Sequence, residues 1–170
     1  MTELTVPQLD RPRVVAGANY LFDGPRGRVP LDALFDGRPR LAVHHTMPDH
    51  SGPADIVTAA DVAAALSAPD LRLVLVSRAP YAQLERYRRH LGPDLPTYSA
   101  VTGAFAADFP ASRRLPGTAG GDAWEVDEAG LSFFHRERDC LVHTGSVALT
   151  RLDFLSLLGV PDRFRTASAR

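Results

Sequence analysis

Short apolar runs alternate with amphipathic segments along the first part of the chain, and this alternation predicts an α/β protein. Residues 40–47 and 71–77 contain continuous apolar stretches, which are typical of central strands buried on both faces. Between them, residues 55–68 carry apolar side chains at helical spacing. A second helix is predicted over residues 80–90, because a proline opens it at its first turn, and a short third strand follows over residues 98–101.

The last third of the chain has an antiparallel pattern. Residues 131–135 and 141–147 flank a polar turn and predict a β-hairpin. The apolar positions of residues 149–158 predict a closing helix. Residues 111–122 are rich in Gly, Pro and Ser and predict an exposed loop, whereas residues 124–127 are expected to begin the last region of the sheet.

The N-terminal part of the chain begins without a core pattern. Residues 1–13 are predicted to form a flexible arm, and residues 14–170 a single domain. Gly24 and Gly27 supply turn residues between two short strands, and residues 31–35 predict a helical turn.

The order of the predicted elements defines the fold class. It is β-α-β-α-β, then a hairpin, then a helix. A parallel half followed by an antiparallel half and a closing helix is the arrangement that a thioredoxin-like sheet needs. The sequence therefore predicts an α/β, thioredoxin-like fold with a central mixed sheet flanked by helices.

Composition and charge narrow the function classes. The 170 residues are 45% hydrophobic and 23% charged, with a formal net charge of -1, which gives no electrostatic basis for binding nucleic acid or an anionic membrane. All 19 basic residues are arginine, so Schiff-base chemistry on a lysine is excluded. No apolar run approaches the roughly 20 residues that span a bilayer, and no signal-peptide pattern is present. A cytoplasmic location is therefore expected.

Cys140 is the one cysteine of the chain. Dithiol chemistry needs a thiolate and a second thiol that resolves the intermediate, so neither an intrachain disulfide nor dithiol activity is possible. Cys140 follows Asp139 and is expected to be an inert thiol. No Gly-rich phosphate loop stands out, and no nucleotide cofactor is expected.

The densest cluster of candidate functional residues lies at the end of the first central strand, where His44, His45, Met47 and His50 fall within seven residues. Strand alternation places His44 on one face and His45 with Met47 on the other. In open α/β sheets, ligands bind beyond the carboxyl ends of the strands. The cluster therefore stands where a site is expected, and His143 of the hairpin is a candidate to reach the same end.

Three interpretations of these histidines stay open. Imidazoles with a thioether suit copper, and imidazoles with a carboxylate suit iron or zinc. His44, His45, Met47, His50 and His143 are therefore candidate ligands of a transition metal, with copper first. Without a metal, His45 or His143 is a candidate general base near neutral pH. In the third interpretation, the rings serve packing alone.

Two further residues are candidates for orienting a small organic substrate at this edge. Arg78 follows the second buried strand, and its guanidinium could hold a carboxylate or phosphate through two hydrogen bonds. Alternatively, Arg78 forms an ion pair with Asp49 or Asp108. Tyr98 lies near the third strand and could donate a hydrogen bond. The predicted catalytic residues are therefore His45, His143, Arg78 and Tyr98.

Three segments carry a family resemblance. Residues 20–25 read Tyr-Leu-Phe-Asp-Gly-Pro, residues 76–80 read Val-Ser-Arg-Ala-Pro, and residues 130–134 read Gly-Leu-Ser-Phe-Phe. With the intervening pattern, they resemble the DUF899 family of thioredoxin-like, peroxiredoxin-related proteins over about residues 18–160. The family usually has a Cys-Pro-x-Cys-like pair after the strand that ends here at Met47. The resemblance thus implies a thioredoxin-like fold and a divergent member that lacks the cysteine pair.

Two functions are compatible with these observations. In the first, the protein is a specialised, biosynthetic enzyme of the oxidoreductase kind, which acts on a small organic molecule with a histidine-based site. In the second, it is a non-catalytic module that binds a small molecule or a partner protein. An exposed Tyr and Phe face would be compatible with a homodimer.

Overall fold

The computed structural model describes residues 12–45, 62–63, 66–91, 95–100, 104–109, 112–115, 124–127 and 130–148. The strands in this part of the chain are β1 (Arg13–Val15), β2 (Leu21–Gly24), β3 (Gly27–Pro30), β4 (Arg40–His45), β5 (Leu71–Ser77), β6 (Thr97–Ser99), β7 (Ser112–Leu115), β8 (Trp124–Asp127), β9 (Gly130–Glu137) and β10 (Cys140–Ala148). The helical elements with bounds in this part are the α-helices α1 (Tyr81–Leu91) and α2 (Ala104–Asp108), and the 3₁₀ turns Gly17–Asn19 and Leu31–Phe35.

Eight strands form one mixed sheet in the order β1-β10-β9-β4-β5-β6-β2-β3. β4, β5 and β6 are parallel neighbours, and every other pair in this order is antiparallel. This topology confirms the predicted combination of a parallel half with an antiparallel hairpin. It also places the carboxyl end of β4 in the middle of the sheet, between β5 and β9.

The helical predictions have three outcomes. α1 begins directly after Pro80, as predicted, and the helical turn predicted over residues 31–35 is confirmed as the 3₁₀ turn Leu31–Phe35. The predicted helix 55–68 lies largely outside the described residues, but Val62 is helical and its carbonyl accepts a 2.9 Å hydrogen bond from the Leu66 amide. The predicted closing helix 149–158 lies outside the described residues. Within the ranges that the structure describes, no helix is long and apolar enough to cross a membrane.

β4 is apolar along most of its length because both faces of the sheet are covered. Leu41 and Val43 belong to a large core cluster on one face. Ala42 belongs to a small core cluster on the other face. The large core cluster contains four buried aromatic residues of other elements that bear on the site, namely Phe22, Phe105, Phe109 and Phe134.

Two regions differ from the sequence prediction. The exposed loop predicted over residues 111–122 is wrong in part, because Ser112–Leu115 forms β7 and pairs with β8 in a separate two-stranded sheet. β8 therefore does not begin the main sheet. Turn-forming residues on both sides of Ser112–Leu115 hide a strand this short. At the N-terminus, Arg13 belongs to β1 rather than to an arm, because it pairs with His143 of β10.

Gly24 lies where a side chain does not fit. A Cβ at Gly24 would lie 2.7 Å from both Cδ1 and Cε1 of Tyr98, and the Tyr98 ring is half-buried against the large core cluster. We expect Gly24→Ala to lower the free energy of unfolding by about 1–3 kcal/mol, as measured by urea denaturation. Tyr98→Ala should relieve the clash, so the two substitutions should be strongly non-additive. Simple additivity would contradict this account of the contact.

Candidate functional site at the carboxyl end of β4

His45 is the last residue of β4, and its side chain is 4% exposed. It faces the large core cluster, where its ring stacks on Phe105. His44 is 3% exposed and, because successive strand residues alternate, faces the opposite side of the sheet. The two adjacent histidines therefore serve different faces, and only His45 lies on the face of the aromatic core.

Three hydrogen bonds connect His45 to His143 through two serine hydroxyls. His45 Nε2 lies 2.7 Å from Ser132 Oγ, Ser132 Oγ lies 2.8 Å from Ser146 Oγ, and Ser146 Oγ lies 2.9 Å from His143 Nε2. Ser132 and His143 have no measurable exposure, at 0% each. We call His45, Ser132, Ser146 and His143 the histidine–serine network. It joins the two histidines that the sequence analysis placed in one candidate site.

The sheet topology places the members of this network side by side. β9 lies next to β4 with Ser132 opposite Val43, so the Ser132 side chain shares the face of Val43. β10 follows β9 in the sheet, with Ser146 opposite Ser132. β4 thus contributes His45, β9 contributes Ser132, and β10 contributes both Ser146 and His143. Each group lies within hydrogen-bond distance of the next.

A β-bulge in β10 brings His143 and Ser146 to the same face. The register against β9 shifts between His143 and Gly145, which makes Thr144 the extra residue. Residues three apart in a regular strand face opposite sides, so a regular β10 would separate His143 from Ser146. Thr144 Oγ1 donates a 3.1 Å hydrogen bond to the Phe133 carbonyl, which gives a backbone oxygen at the irregularity a partner.

Aromatic rings cover the network. The Phe105 ring lies 5.6 Å from the His45 ring in a stacked arrangement, with an interplanar angle of 25°. Phe109 contacts His143 edge-on with ring centroids 4.9 Å apart, and Phe134 lies 5.1 Å from the same imidazole. Both histidines therefore sit in an apolar surrounding, in which the serine hydroxyls supply their polar contacts at Nε2.

α2, which carries Phe105 and precedes Phe109, is tied to the N-terminal part of the chain. The Tyr20 hydroxyl donates a 2.6 Å hydrogen bond to Asp108 Oδ2, and Arg13 Nη2 donates to the Asp108 carbonyl at 2.5 Å. The Arg13 guanidinium also lies 4.9 Å from the centroid of the Phe109 ring. Burial, then the hydrogen bond to Asp108, raises the pKa of Tyr20 to about 12, so Tyr20 stays a hydrogen-bond donor at neutral pH.

Burial keeps the two β4 histidines uncharged. It lowers the pKa of His44 to about 4. It lowers the pKa of His45 to about 3, with smaller contributions from the neighbouring charges of protonated His44 and His143. At neutral pH, His45 is therefore a neutral imidazole, the form that accepts a proton or binds a metal ion.

His44 has a different surrounding from His45. In the sheet it lies between Leu75 of β5 and Leu131 of β9. Its Nδ1 atom is buried and has no hydrogen-bond partner among the described residues. An unpaired buried nitrogen is tolerated more easily in a neutral ring than in a charged one, which agrees with the lowered pKa.

The remaining predicted site residues are not members of the network. Arg78 is exposed directly after β5, and Tyr98 lies in β6 beside Val76, packed against the large core cluster. Met47 and His50 lie outside the described residues. Within the described part of the chain, no three His, Cys, Asp or Glu side chains are grouped to hold a metal ion. Metal binding and the roles of these residues stay predictions.

Sequence reasoning missed the two serines of the network. Ser132 and Ser146 lie in strands whose serines have no distinctive spacing, and Ser146 reaches the site because of the bulge. The signal that could have found Ser132 is its place within the family segment at residues 130–134. His135 is not part of the network. Its Nε2 atom lies 2.8 Å from Glu137 Oε1 on the exposed part of the hairpin.

The mixed sheet, with its hairpin beside β4 and a polar network that starts from His45 at the carboxyl end of β4, defines a thioredoxin-like protein that lacks a cysteine pair. The chain belongs to the family described as a bacterial protein of unknown function, DUF899, whose family model matches residues 5–156. This result confirms the resemblance found in the sequence. No curated protein matches the chain.

Solved peroxiredoxin structures share the fold. Peroxiredoxin Q from Xanthomonas campestris is similar with a TM-score of 0.62 at 12% identity, covering 89% of this chain and 95% of that chain. Oxidized Prx3 from Vibrio vulnificus has a TM-score of 0.57 at 12% identity, covering 89% and 99%. Peroxidoxin BcpB from Mycobacterium tuberculosis has a TM-score of 0.52 at 14% identity, covering 83% and 92%. At these identities the likeness establishes the fold alone.

Proposed function

We propose that the protein is an enzyme that acts on a small organic molecule at the carboxyl end of β4, with a histidine-based site in place of dithiol chemistry. The observation that carries this proposal is the hydrogen-bonded connection of His45 to His143 through Ser132 and Ser146. A buried polar network of this kind is costly unless every member is satisfied. One end of the network, His45, lies at the carboxyl end of β4, where α/β sheets bind ligands, and this supports a functional rather than a packing role.

In this proposal, His45 is the general base. Burial keeps its imidazole neutral, and the hydrogen bond to Ser132 fixes the orientation of the ring. A neutral, oriented imidazole can accept a proton. Its pKa of about 3 makes it a weak base, so the bound molecule must carry an acidic O–H or C–H group. The same low pKa makes the protonated ring a strong acid, so the proton is readily returned or passed on.

The cover of the site indicates the kind of substrate. The Phe105 ring lies on His45 and the Phe109 ring on His143, so a molecule that reaches the network from this side must displace or stack on a phenyl ring. An apolar, planar group suits such a surface, whereas a highly charged group would lose its hydration there. We therefore expect a small organic substrate with an aromatic or conjugated part.

A copper-dependent or other metal-dependent oxidoreductase is the second form of this proposal. Two imidazoles on one face, those of His45 and His143, support it. Their Nε2 atoms, however, are hydrogen-bonded to serine hydroxyls, and His44 faces away. The described residues thus supply two imidazoles, and a complete ligand set would need Met47 or His50. A bound copper or iron ion would supply one-electron chemistry that the side chains lack.

The metal content of protein purified without a polyhistidine tag separates these two forms. The general-base form predicts far less than one copper, iron or zinc ion per chain, with no change in His45→Ala or His143→Ala. The control is His135→Ala, which alters a histidine outside the network. Metal near one ion per chain that is lost in both network variants, but kept in the control, would replace the general-base form with the metal form.

A non-catalytic binding module remains the alternative, and turnover decides it. Wild-type protein would be incubated with the small-molecule fraction of the source bacterium, and consumption followed by mass spectrometry. The enzyme proposal predicts that a compound is consumed beyond one equivalent per chain, and that His45→Gln lowers the rate by about 10²- to 10⁴-fold. His135→Gln should leave the rate unchanged. Depletion of at most one equivalent would support the binding module instead.

A further inference from the structure

The hydrogen count of the histidine–serine network constrains its protonation. Three hydrogen bonds join the four groups, and each hydrogen bond contains one hydrogen. Each serine hydroxyl supplies one hydrogen and can accept another. Among the described residues, the hydroxyls of Ser132 and Ser146 have no hydrogen bonds other than these. The two hydroxyls therefore supply two of the three hydrogens, and the third must come from Nε2 of one histidine.

We propose that Ser132 and Ser146 form a proton relay that couples His45 to His143 and holds the two imidazoles in opposite tautomers. If His45 carries its hydrogen on Nε2, it donates to Ser132, Ser132 donates to Ser146, and Ser146 donates to His143 Nε2. The neutral His143 ring then carries its hydrogen on Nδ1. Reversing all three hydrogen bonds exchanges the two tautomers, so neither ring can change alone.

The same geometry moves a proton away from His45. A proton taken up at His45 Nδ1 allows the Nε2 hydrogen to pass to Ser132 Oγ. The Ser132 hydrogen then passes to Ser146, and the Ser146 hydrogen passes to His143 Nε2. Each serine ends with one hydrogen, His45 is neutral again, and the positive charge lies on His143. This step deepens the proposed function, because it gives the general base a second group that receives its proton.

The fold supports a relay over simple packing in two ways. The bulge at Thr144 is a local departure from regular pairing, and its consequence is that Ser146 contacts both Ser132 and His143. The aromatic rings of Phe105 and Phe109 cover the imidazoles, which excludes water from that side. Because the two hydroxyls have no competing partners in the described part of the chain, their hydrogen bonds keep one direction along the network.

Nitrogen NMR of the histidine side chains tests this inference. Protein labelled with ¹⁵N in histidine would be examined at neutral pH through two-bond proton–nitrogen correlations, which distinguish the Nδ1-H from the Nε2-H tautomer. We expect one of His45 and His143 in each tautomer. In Ser132→Ala and Ser146→Ala, the two rings should no longer be held in opposite tautomers. The ¹⁵N chemical shifts of at least one ring should move toward the average of the two tautomers.

The matched control is Ser99→Ala in β6, which removes a buried hydroxyl that donates to the Ala79 carbonyl. It should leave both tautomers unchanged. The relay is overturned if the wild-type rings share one tautomer, or if folded Ser132→Ala and Ser146→Ala proteins both keep the opposite pair. Should an alanine variant not fold, Ser146→Thr keeps the hydroxyl and should keep the pair. The spectrum needs no substrate, so a failed relay and a failed turnover assay are separate results.

Discussion

Acidification from pH 7 to pH 4 is expected to destabilise the folded protein by several kcal/mol. In the unfolded chain, His44 and His45 titrate with a pKa near 6.5, whereas burial lowers their folded pKa values to about 4 and about 3. Between these values the unfolded state binds more protons, so stability rises with pH. The contribution of the two neutral rings to the free energy of unfolding is fully present above pH 6.5 and is lost as the pH falls toward 4. At 1.36 kcal/mol per pKa unit, it is on the order of 3 kcal/mol per histidine.

Urea denaturation at several pH values between 7 and 4 measures this effect. His44→Leu is the informative variant, because His44 lies between Leu75 and Leu131 on the apolar face. The His44→Leu variant should lose the part of the pH dependence of the free energy of unfolding that comes from His44, and it should keep the part that comes from His45. A free energy of unfolding that stays constant from pH 6.5 to pH 4 would show that the two rings are not buried as neutral groups.

Phe109→Ala is expected to lower the free energy of unfolding by about 3–5 kcal/mol. Phe109 is 0% exposed, and its ring contacts Phe105, Tyr20, Phe134 and the His143 imidazole. Truncation removes these contacts together and leaves a cavity beneath α2. The loss should be measured by urea denaturation at pH 7.5, where His44 and His45 are neutral in the folded protein.

The control for this prediction is Val14→Ala. Val14 lies in the edge strand β1 and is 72% exposed, so its truncation should cost less than about 1 kcal/mol. A Phe109→Ala protein that loses no more stability than Val14→Ala would contradict the packing described for the aromatic cover. An intermediate effect of Phe109→Leu, which keeps part of the volume, would agree with it.

The central architecture could be predicted because buried parallel strands leave a strong signal. The apolar runs that became β4 and β5 have no polar face, and the proline before α1 marks the start of that helix. The hairpin of β9 and β10 was equally clear, since two long apolar runs flank a charged turn. These features depend on local composition, which a sequence displays directly.

The short strands could not be predicted in the same way. β1 has three residues and β7 has four, too few for an alternation to be visible. Each exists because a distant partner completes its hydrogen bonds, β10 for β1 and β8 for β7. Pairing between distant segments is a tertiary effect, and turn-forming neighbours conceal it further.

The residues of the candidate site likewise include some that the sequence predicts and some that it does not. Alternation in β4 separated His44 from His45 correctly, but it left open which of the two histidines faces the site. Ser132 and Ser146 were missed because a serine in a strand is common and has no spacing rule. The bulge at Thr144 has no clear sequence signature either, and without it Ser146 would face the other side of the sheet.

Neutron diffraction from a crystal of the deuterium-exchanged protein locates the hydrogens between His45 and His143 and so tests the proton relay itself. The relay predicts one deuteron in each of the three contacts, with both serine hydroxyls directed the same way along the network. Serine oxygens more than about 3.5 Å apart, or hydroxyls bonded to groups outside the network, would contradict it.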